Sequence, residues 1–364
     1  MTESLADASP AIELVKPAVR GQPAYTLIPR SSRRKLNQNE SPWDVPDGLK
    51  RAIVERALTL PWNRYPEFVP AELLQRLAAA HAWHSDGILV GNGSNELIQA
   101  VLATTLTPSA VVVAPSPTFS LYRLLTNVFG GRYVPVALGG DFRYDVDALI
   151  QAAAREQARV IVVNSPNNPT GSALPPDGVE RLLETTDALV LCDEAYQDFG
   201  GPTAVPLLPS SPRVVVLRTF SKAFGMAGLR FGYALAHPAL GREVAKGKLP
   251  YNVNAITLAA AAMVMEHAEI RTERIRAIVD IRDRTVERLR RVAGLLVYPT
   301  AANFVLIRCL KTPAREVFRR LLDEHGILVR DVSAASELQE CLRISVGTDD
   351  DMNAVVAALE QIAR

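Results

Sequence analysis

Lys222 is set in Thr219-Phe220-Ser221-Lys222-Ala223-Phe224-Gly225-Met226-Ala227-Gly228-Leu229-Arg230. Two polar runs precede it, Asn164-Ser165-Pro166-Asn167-Asn168-Pro169-Thr170-Gly171 and Asp193-Glu194-Ala195-Tyr196. An amine, a carboxylate, a phenol, an amide, hydroxyls and a guanidinium thus each follow an apolar run that reads as a strand. A lysine amine can bond to an aldehyde carbon and, once displaced, carry a proton. A carboxylate can pair with a protonated ring nitrogen, neutral donors can hold a ring oxygen, and a guanidinium can clamp a phosphate. Pyridoxal 5'-phosphate (PLP) needs all of these.

Each group also has a plainer reading. Asp193 follows the apolar run Ala188–Cys192, where an unpaired carboxylate is expensive. Alone it suits a helix cap or a salt bridge; beside Lys222 it suits the partner of a pyridine nitrogen. Asn168 lies in a loop fixed by Pro166 and Pro169 and released by Gly171. Asn168 and Tyr196 can both donate to a ring phenolate oxygen, which favours its charged form. Lys222 alone is most simply a surface lysine, but Ser221, Phe224 and the flanking glycines argue against that. Gly91-Asn92-Gly93-Ser94-Asn95-Glu96 leads into a helix, whose first N–H groups bind anions. Ser94 or Asn95 also suits a helix cap there. The run is not GxGxxG, and no GxxxxGK(S/T) occurs, so dinucleotide and P-loop readings lose support. Phe119 reads either as core or as a face stacked on a cofactor ring.

The elements that must position these groups follow from the apolar pattern. Strands are expected at Ile88–Val90, Ala110–Ala114, Tyr133–Val136, Val160–Asn164, Ala188–Cys192, Val214–Arg218 and Phe231–Ala236. They lack polar alternation and so suit burial on both faces. Helices are expected between many of them, at Glu96–Thr105, Phe119–Phe129, Val146–Arg155 and Gly178–Thr186. Strand–helix alternation predicts an α/β fold with a mostly parallel sheet of about seven strands flanked by helices. After about Val253 the pattern changes to a long helix over Arg271–Arg291 and then a smaller α+β domain ending in a helix near Asp350–Ile362. The expected division is an arm over 1–45, a large domain over 46–255 and a small domain over 256–364, the arm completing the small domain or packing on a neighbour.

Composition narrows the function. The 364 residues are 48% hydrophobic and 22% charged, with a formal charge of +1, which gives no support to nucleic-acid binding. The basic cluster Arg30, Arg33, Arg34, Lys35 reads as solvated surface. Cys192, Cys309 and Cys341 cannot form a paired framework and sit in apolar runs, as buried thiols of a reducing compartment do. The opening MTESLADASP has no basic region followed by an apolar run, and no apolar stretch reaches about 18 residues. A cytoplasmic protein without a membrane span is expected. His81 and His84 lack a third ligand, so no metal site is expected and these are read as surface or core histidines.

Taken in order, the motifs resemble the fold type I PLP-dependent aminotransferases of class I/II, from about Lys35 to Thr348. Leu36-Asn37-Gln38-Asn39-Glu40, Asn63-Arg64-Tyr65-Pro66 and Leu342-Arg343-Ile344-Ser345-Val346-Gly347-Thr348 are most similar to the histidinol-phosphate branch. The resemblance implies that Lys222 is the Schiff-base lysine, Asp193 the partner of the pyridine nitrogen, and Asn168 with Tyr196 the ring-oxygen donors. Ser94, Asn95, Thr219, Ser221 and Arg230 would surround the cofactor phosphate, and Phe119 would stack on the ring. Tyr65 would reach the phosphate in a neighbouring subunit, which implies a homodimer with sites at the interface. Arg343 would face a substrate α-carboxylate and Arg330 a substrate phosphate, with Tyr25 and Asn39 in the same pocket.

The activity so implied is amino transfer between L-glutamate/2-oxoglutarate and imidazole-acetol phosphate/L-histidinol phosphate, a step of histidine biosynthesis. Alternatives on the same scaffold are an aromatic or other amino-acid aminotransferase and a PLP-dependent threonine-phosphate decarboxylase. A noncatalytic PLP-binding module of the kind fused to DNA-binding domains would need a longer N-terminal segment. The chain departs from the branch in three places. Phe119 stands where Tyr is more frequent, Asn95 where Asp or a small polar residue is common, and Gly21–Pro29 matches the arm only loosely.

Overall fold

The computed structural model describes residues 8–23 and 29–363. Two short helices, α1 (Ser9–Glu13) and α2 (Pro17–Arg20), come first, then β1 (Arg34–Lys35), α3 (Asp47–Leu58) and α4 (Ala71–His81). The large sheet and its helices follow: β2 (Ile88–Gly91), α5 (Ser94–Thr105), β3 (Val111–Ser116), α6 (Leu121–Val128), β4 (Arg132–Ala137), α7 (Val146–Arg155) and β5 (Val160–Asn164). Next are α8 (Gly178–Thr185), β6 (Leu189–Asp193), β7 (Val214–Thr219), β8 (Gly232–Ala236), α9 (Pro238–Ala245) and α10 (Ala255–Met265). The long α11 (Ala268–Leu289) leads to β9 (Leu295–Val297), β10 (Phe304–Cys309), α12 (Ala314–Asp323), β11 (Ile327–Leu328), β12 (Arg330–Asp331), β13 (Cys341–Ser345) and α13 (Asp349–Ile362).

The seven-stranded sheet has the order β2-β8-β7-β6-β5-β3-β4. Strands β3 to β7 run parallel, and β8 runs against both β7 and β2. The central strands bury every residue because helices cover both faces, which is why they read as unbroken apolar runs. Ligands of open α/β sheets bind beyond the carboxyl ends of the strands. Here those ends are Ser116, Asn164, Asp193 and Thr219, and the parallel register sets Asn164 beside Asp193.

A four-stranded antiparallel sheet, β12-β13-β10-β9, forms the second unit with α12 and α13. Its core includes Ile278, Phe304, Val317, Leu342 and Val355, and takes in Leu36 from the N-terminal segment. Strand β1 pairs with β11, and Ser345 N–H donates to Leu36 O, so the segment after residue 29 is stitched into this unit. Arg30, Arg33 and Lys35 of the basic cluster are exposed, as solvated surface should be, and only Arg34 departs from that reading. Arg34 is ion-paired with Asp350 (2.6 Å) and Asp351 (3.2 Å) at the start of α13, because β1 lays it against that helix. The domain division remains a proposal. One observation bears on its edge: α10 packs on α3 and α4, and its Ala260, Ala261 and Val264 share the core of the large sheet.

Among the described residues no helix is long and apolar enough to cross a membrane. All three cysteines are buried and free. His81 is satisfied by the Tyr233 hydroxyl at 2.7 Å, and burial pushes its pKa down to about 4.

Candidate active site

One cavity of about 780 Å³ opens at the carboxyl ends of β3, β5, β6 and β7, under the small sheet. It is lined by Asn39, Ser94, Asn95, Phe119, Asn168, Asp193, Tyr196, Thr219, Ser221, Lys222, Arg230, Arg330 and Arg343. Tyr65 lies outside it, 79% exposed and stacked on Tyr251 at 4.4 Å. Tyr25 falls outside the described residues.

Lys222 leaves β7 by a short turn and points its Nζ to Gln38 O at 2.9 Å. Burial pushes the amine down to about 7, the charge of Arg343 pushes the same way, and Glu40 opposes both. An amine of this kind is neutral, and so nucleophilic, in a substantial fraction near neutral pH.

Asp193 is 4% exposed and has no ion-pair partner among the described residues. Tyr122 Oη donates to its Oδ2 at 2.6 Å and Ala195 N–H to its Oδ1 at 3.1 Å. The salt-bridge reading therefore fails, and the capping reading is met only by the Ala195 amide. Burial raises the carboxyl's pKa against these two donors. A buried carboxylate that faces a cavity without a counter-charge suits a cationic ligand.

Asn168 and Tyr196 are oriented by Arg343 and Asn39. Arg343 Nη1 donates to Asn168 Oδ1 at 2.5 Å, which turns the Asn168 Nδ2 donor away from Arg343. Asn39 Nδ2 donates to Tyr196 Oη at 3.1 Å.

The anion cradle is built by glycine. Helix α5 begins at Ser94 with Gly93 as its N-cap, so Ser94 and Asn95 are not the caps they could have been. Gly93 has φ +81°, and a Cβ there would lie 2.4 Å from Arg230 Nη2. A Cβ on Gly232 would lie 2.4 Å from Ser94 N. The helix N-terminus and the guanidinium thus approach closer than any side chain would allow, leaving N–H donors and a positive charge on one spot. Arg230 Nη1 is steadied by Ser221 Oγ and Ala227 O, both at 3.2 Å.

Tyr122 was not among the residues singled out by sequence. It sits three residues after Phe119 in a helix, where a buried tyrosine reads as core. Its one signal is the hydroxyl, which must find a partner when buried.

Fold and site together define an α/β protein whose cavity sets a helix N-terminus and a guanidinium on the same wall as a buried amine. The description Aminotransferase class I and II matches residues 34–359, and the chain belongs to that family. It is 38% identical over 347 residues to the histidinol-phosphate aminotransferase of Chlorobium phaeovibrioides (strain DSM 265 / 1930), covering 95% of this chain and 96% of the relative. A solved structure of histidinol-phosphate aminotransferase from Sinorhizobium meliloti in complex with pyridoxal-5'-phosphate is similar at TM-score 0.87 and 28% identity, covering 96% of this chain and 97% of the other. L-threonine-O-3-phosphate decarboxylase from Porphyromonas gingivalis is similar at TM-score 0.77 and 25% identity, covering 90% and 98%.

Proposed function

We propose that the chain is a PLP-dependent aminotransferase that moves an amino group between L-glutamate/2-oxoglutarate and imidazole-acetol phosphate/L-histidinol phosphate. The observation that carries the substrate choice is the pair Arg330 and Arg343, opposite each other on β12 and β13 and both on the wall of the Lys222 cavity. Two guanidinium anchors suit a site that takes a carboxylate in one half-reaction and a phosphate in the other.

The cofactor fits the residues present. When bound, PLP supplies an aldehyde carbon that exchanges amines and a ring that accepts electrons. Asp193 would pair with the protonated ring nitrogen, gaining the counter-charge that this buried carboxylate otherwise lacks. Asn168 and Tyr196 would donate to the ring oxygen, and Phe119 would cover a ring face. Ser94, Asn95, Thr219, Ser221 and Arg230 would hold the phosphate at the α5 N-terminus. Lys222, with its amine near neutrality, would take the proton from the substrate α-carbon and return it. Arg343 would orient the α-carboxylate of glutamate, and Arg330 would meet the substrate phosphate, with Asn39 between Tyr196 and Ser345 keeping this wall in place.

The active unit is proposed to be a homodimer. Tyr65, Phe68 and Tyr251 form an exposed aromatic patch, 79%, 69% and 43% exposed, which supports a second copy covering it. Tyr65 would then complete the partner's phosphate site. A cytoplasmic location goes with this biosynthetic role.

Incubation of PLP-loaded protein with imidazole-acetol phosphate and L-glutamate tests the proposal. It predicts L-histidinol phosphate and 2-oxoglutarate in equal amounts; absence of 2-oxoglutarate would contradict it.

A further inference from the structure

One wall of the cavity is used neither by the cofactor residues nor by the two arginines. The segment 332–338 leaves β12, turns through Ser336–Leu338 and brings Glu337 to the cavity mouth. Ser116 Oγ, at the end of β3, donates to Glu337 Oε1 at 2.7 Å, and Ser336 Oγ donates to Oε2 at 2.8 Å. Leu338 is buried against Phe142, Tyr298 and Leu306, so the turn is pinned to both sheets. The carboxylate is therefore placed from both sides of the cavity, not left on a free stem.

Hydrogen bonding from Ser116, then from its own backbone amide, holds the Glu337 carboxyl below the usual range, so it is ionised at neutral pH. Arg123, whose charge reaches it, stacks over Tyr133 at 5.1 Å and forms no ion pair with it. An ionised carboxylate has about four acceptor positions, so each oxygen keeps capacity for a further donor. Of the other carboxylates on the cavity, Asp193 is the one assigned above to the cofactor ring nitrogen, and Asp331 accepts at Oδ1 from both the amide and the hydroxyl of Ser333.

We propose that Glu337 is a specificity-determining residue that accepts the imidazole N–H of the substrate, an inference that rests on the histidinol-phosphate reading above. The cavity then offers guanidinium groups to the anionic end of the substrate and a carboxylate to its ring. A phenyl ring of similar size cannot donate to Glu337 and forgoes one charge-assisted hydrogen bond, which sets the preference between the two rings. Glutamate has no ring and is held through its α-carboxylate by Arg343.

The test compares PLP-loaded wild type, Glu337→Gln and Ser116→Ala in single turnovers with L-histidinol phosphate, L-phenylalaninol phosphate and L-glutamate. Glu337→Gln is expected to lower the specificity for L-histidinol phosphate about tenfold, toward that for the phenyl analogue, with L-glutamate unchanged. Ser116→Ala, which loosens the turn but keeps the charge, should lower it less. Equal loss for all three substrates in Glu337→Gln, or an unchanged preference, overturns the assignment. Wild type that reacts with L-glutamate but not with L-histidinol phosphate overturns the function reading itself. Wild type that reacts with both but ignores the Glu337 change overturns only this inference.

Discussion

Arg330 and Arg343 stand directly opposite each other in the antiparallel register of β12 and β13. Cross-strand partners share a face, and like charges in such a pair are destabilising. Arg343 is anchored on Asn168 Oδ1 and on Asn37 O at 2.7 Å, while Arg330 has no ion-pair partner among the described residues. A ligand anion on Arg330 would offset the second charge.

Arg330→Ala should therefore cost the phosphorylated substrate far more than glutamate. A hydrogen-bonded charge pair contributes about 1.5–3 kcal/mol, or roughly 10- to 100-fold in KM or kcat/KM. Half-reaction kinetics with each substrate check this. Equal loss for both would remove Arg330 from substrate discrimination.

Lys222→Ala should still take up PLP through the cradle at α5 but lose the absorbance of the lysine-linked cofactor and transamination by about 10³-fold or more. Absorbance spectra and turnover measured on the same preparation decide it. Near-wild-type turnover would refute the role of the amine.

The depressed amine pKa gives a pH signature. Covalent capture of PLP by apo protein needs neutral Lys222, so its rate should rise with pH. With the folded pKa near 7 and the unperturbed value at 10.5, the midpoint belongs near 7. Stopped-flow absorbance from pH 5.5 to 9.5, a range of about four units around that midpoint, checks it. A rate still climbing steeply at the alkaline end would show an unperturbed lysine.

Gly93→Ala should damage the cradle twice. The backbone at φ +81° costs a side-chain-bearing residue about 1–3 kcal/mol, and the new methyl would meet Arg230. PLP affinity should fall about tenfold or more, with a lower melting temperature. Fluorescence titration of apo protein measures the first. Unchanged affinity would mean that the phosphate lies elsewhere.

The large sheet was legible because its strands are buried on both faces. Val160–Asn164 is reproduced residue for residue, and the others shift by one or two positions at their ends. Helix α10 was not, because Ala255–Met265 is apolar all round and shows no period. Helix α9 starts on His237-Pro238 with no polar run ahead of it, although the His237 ring caps it through Ala239 N–H. The residues proposed to carry the cofactor chemistry stand out in the sequence as motifs. Their supports were not: Tyr122 reads as core, and nothing in Val329-Arg330-Asp331 says that Arg330 lies opposite Arg343. Glu337 sits in a polar turn without period, so only the bond from Ser116 marks it.

The most direct test of the central claim is the single-turnover absorbance change of PLP-loaded protein mixed separately with L-histidinol phosphate, L-glutamate and L-phenylalanine at equal concentration. Rapid conversion to the pyridoxamine form with the first two, and slow conversion with the third, is the predicted result. Conversion with L-phenylalanine but not with L-histidinol phosphate would contradict the phosphate-substrate assignment and place the enzyme among aromatic aminotransferases.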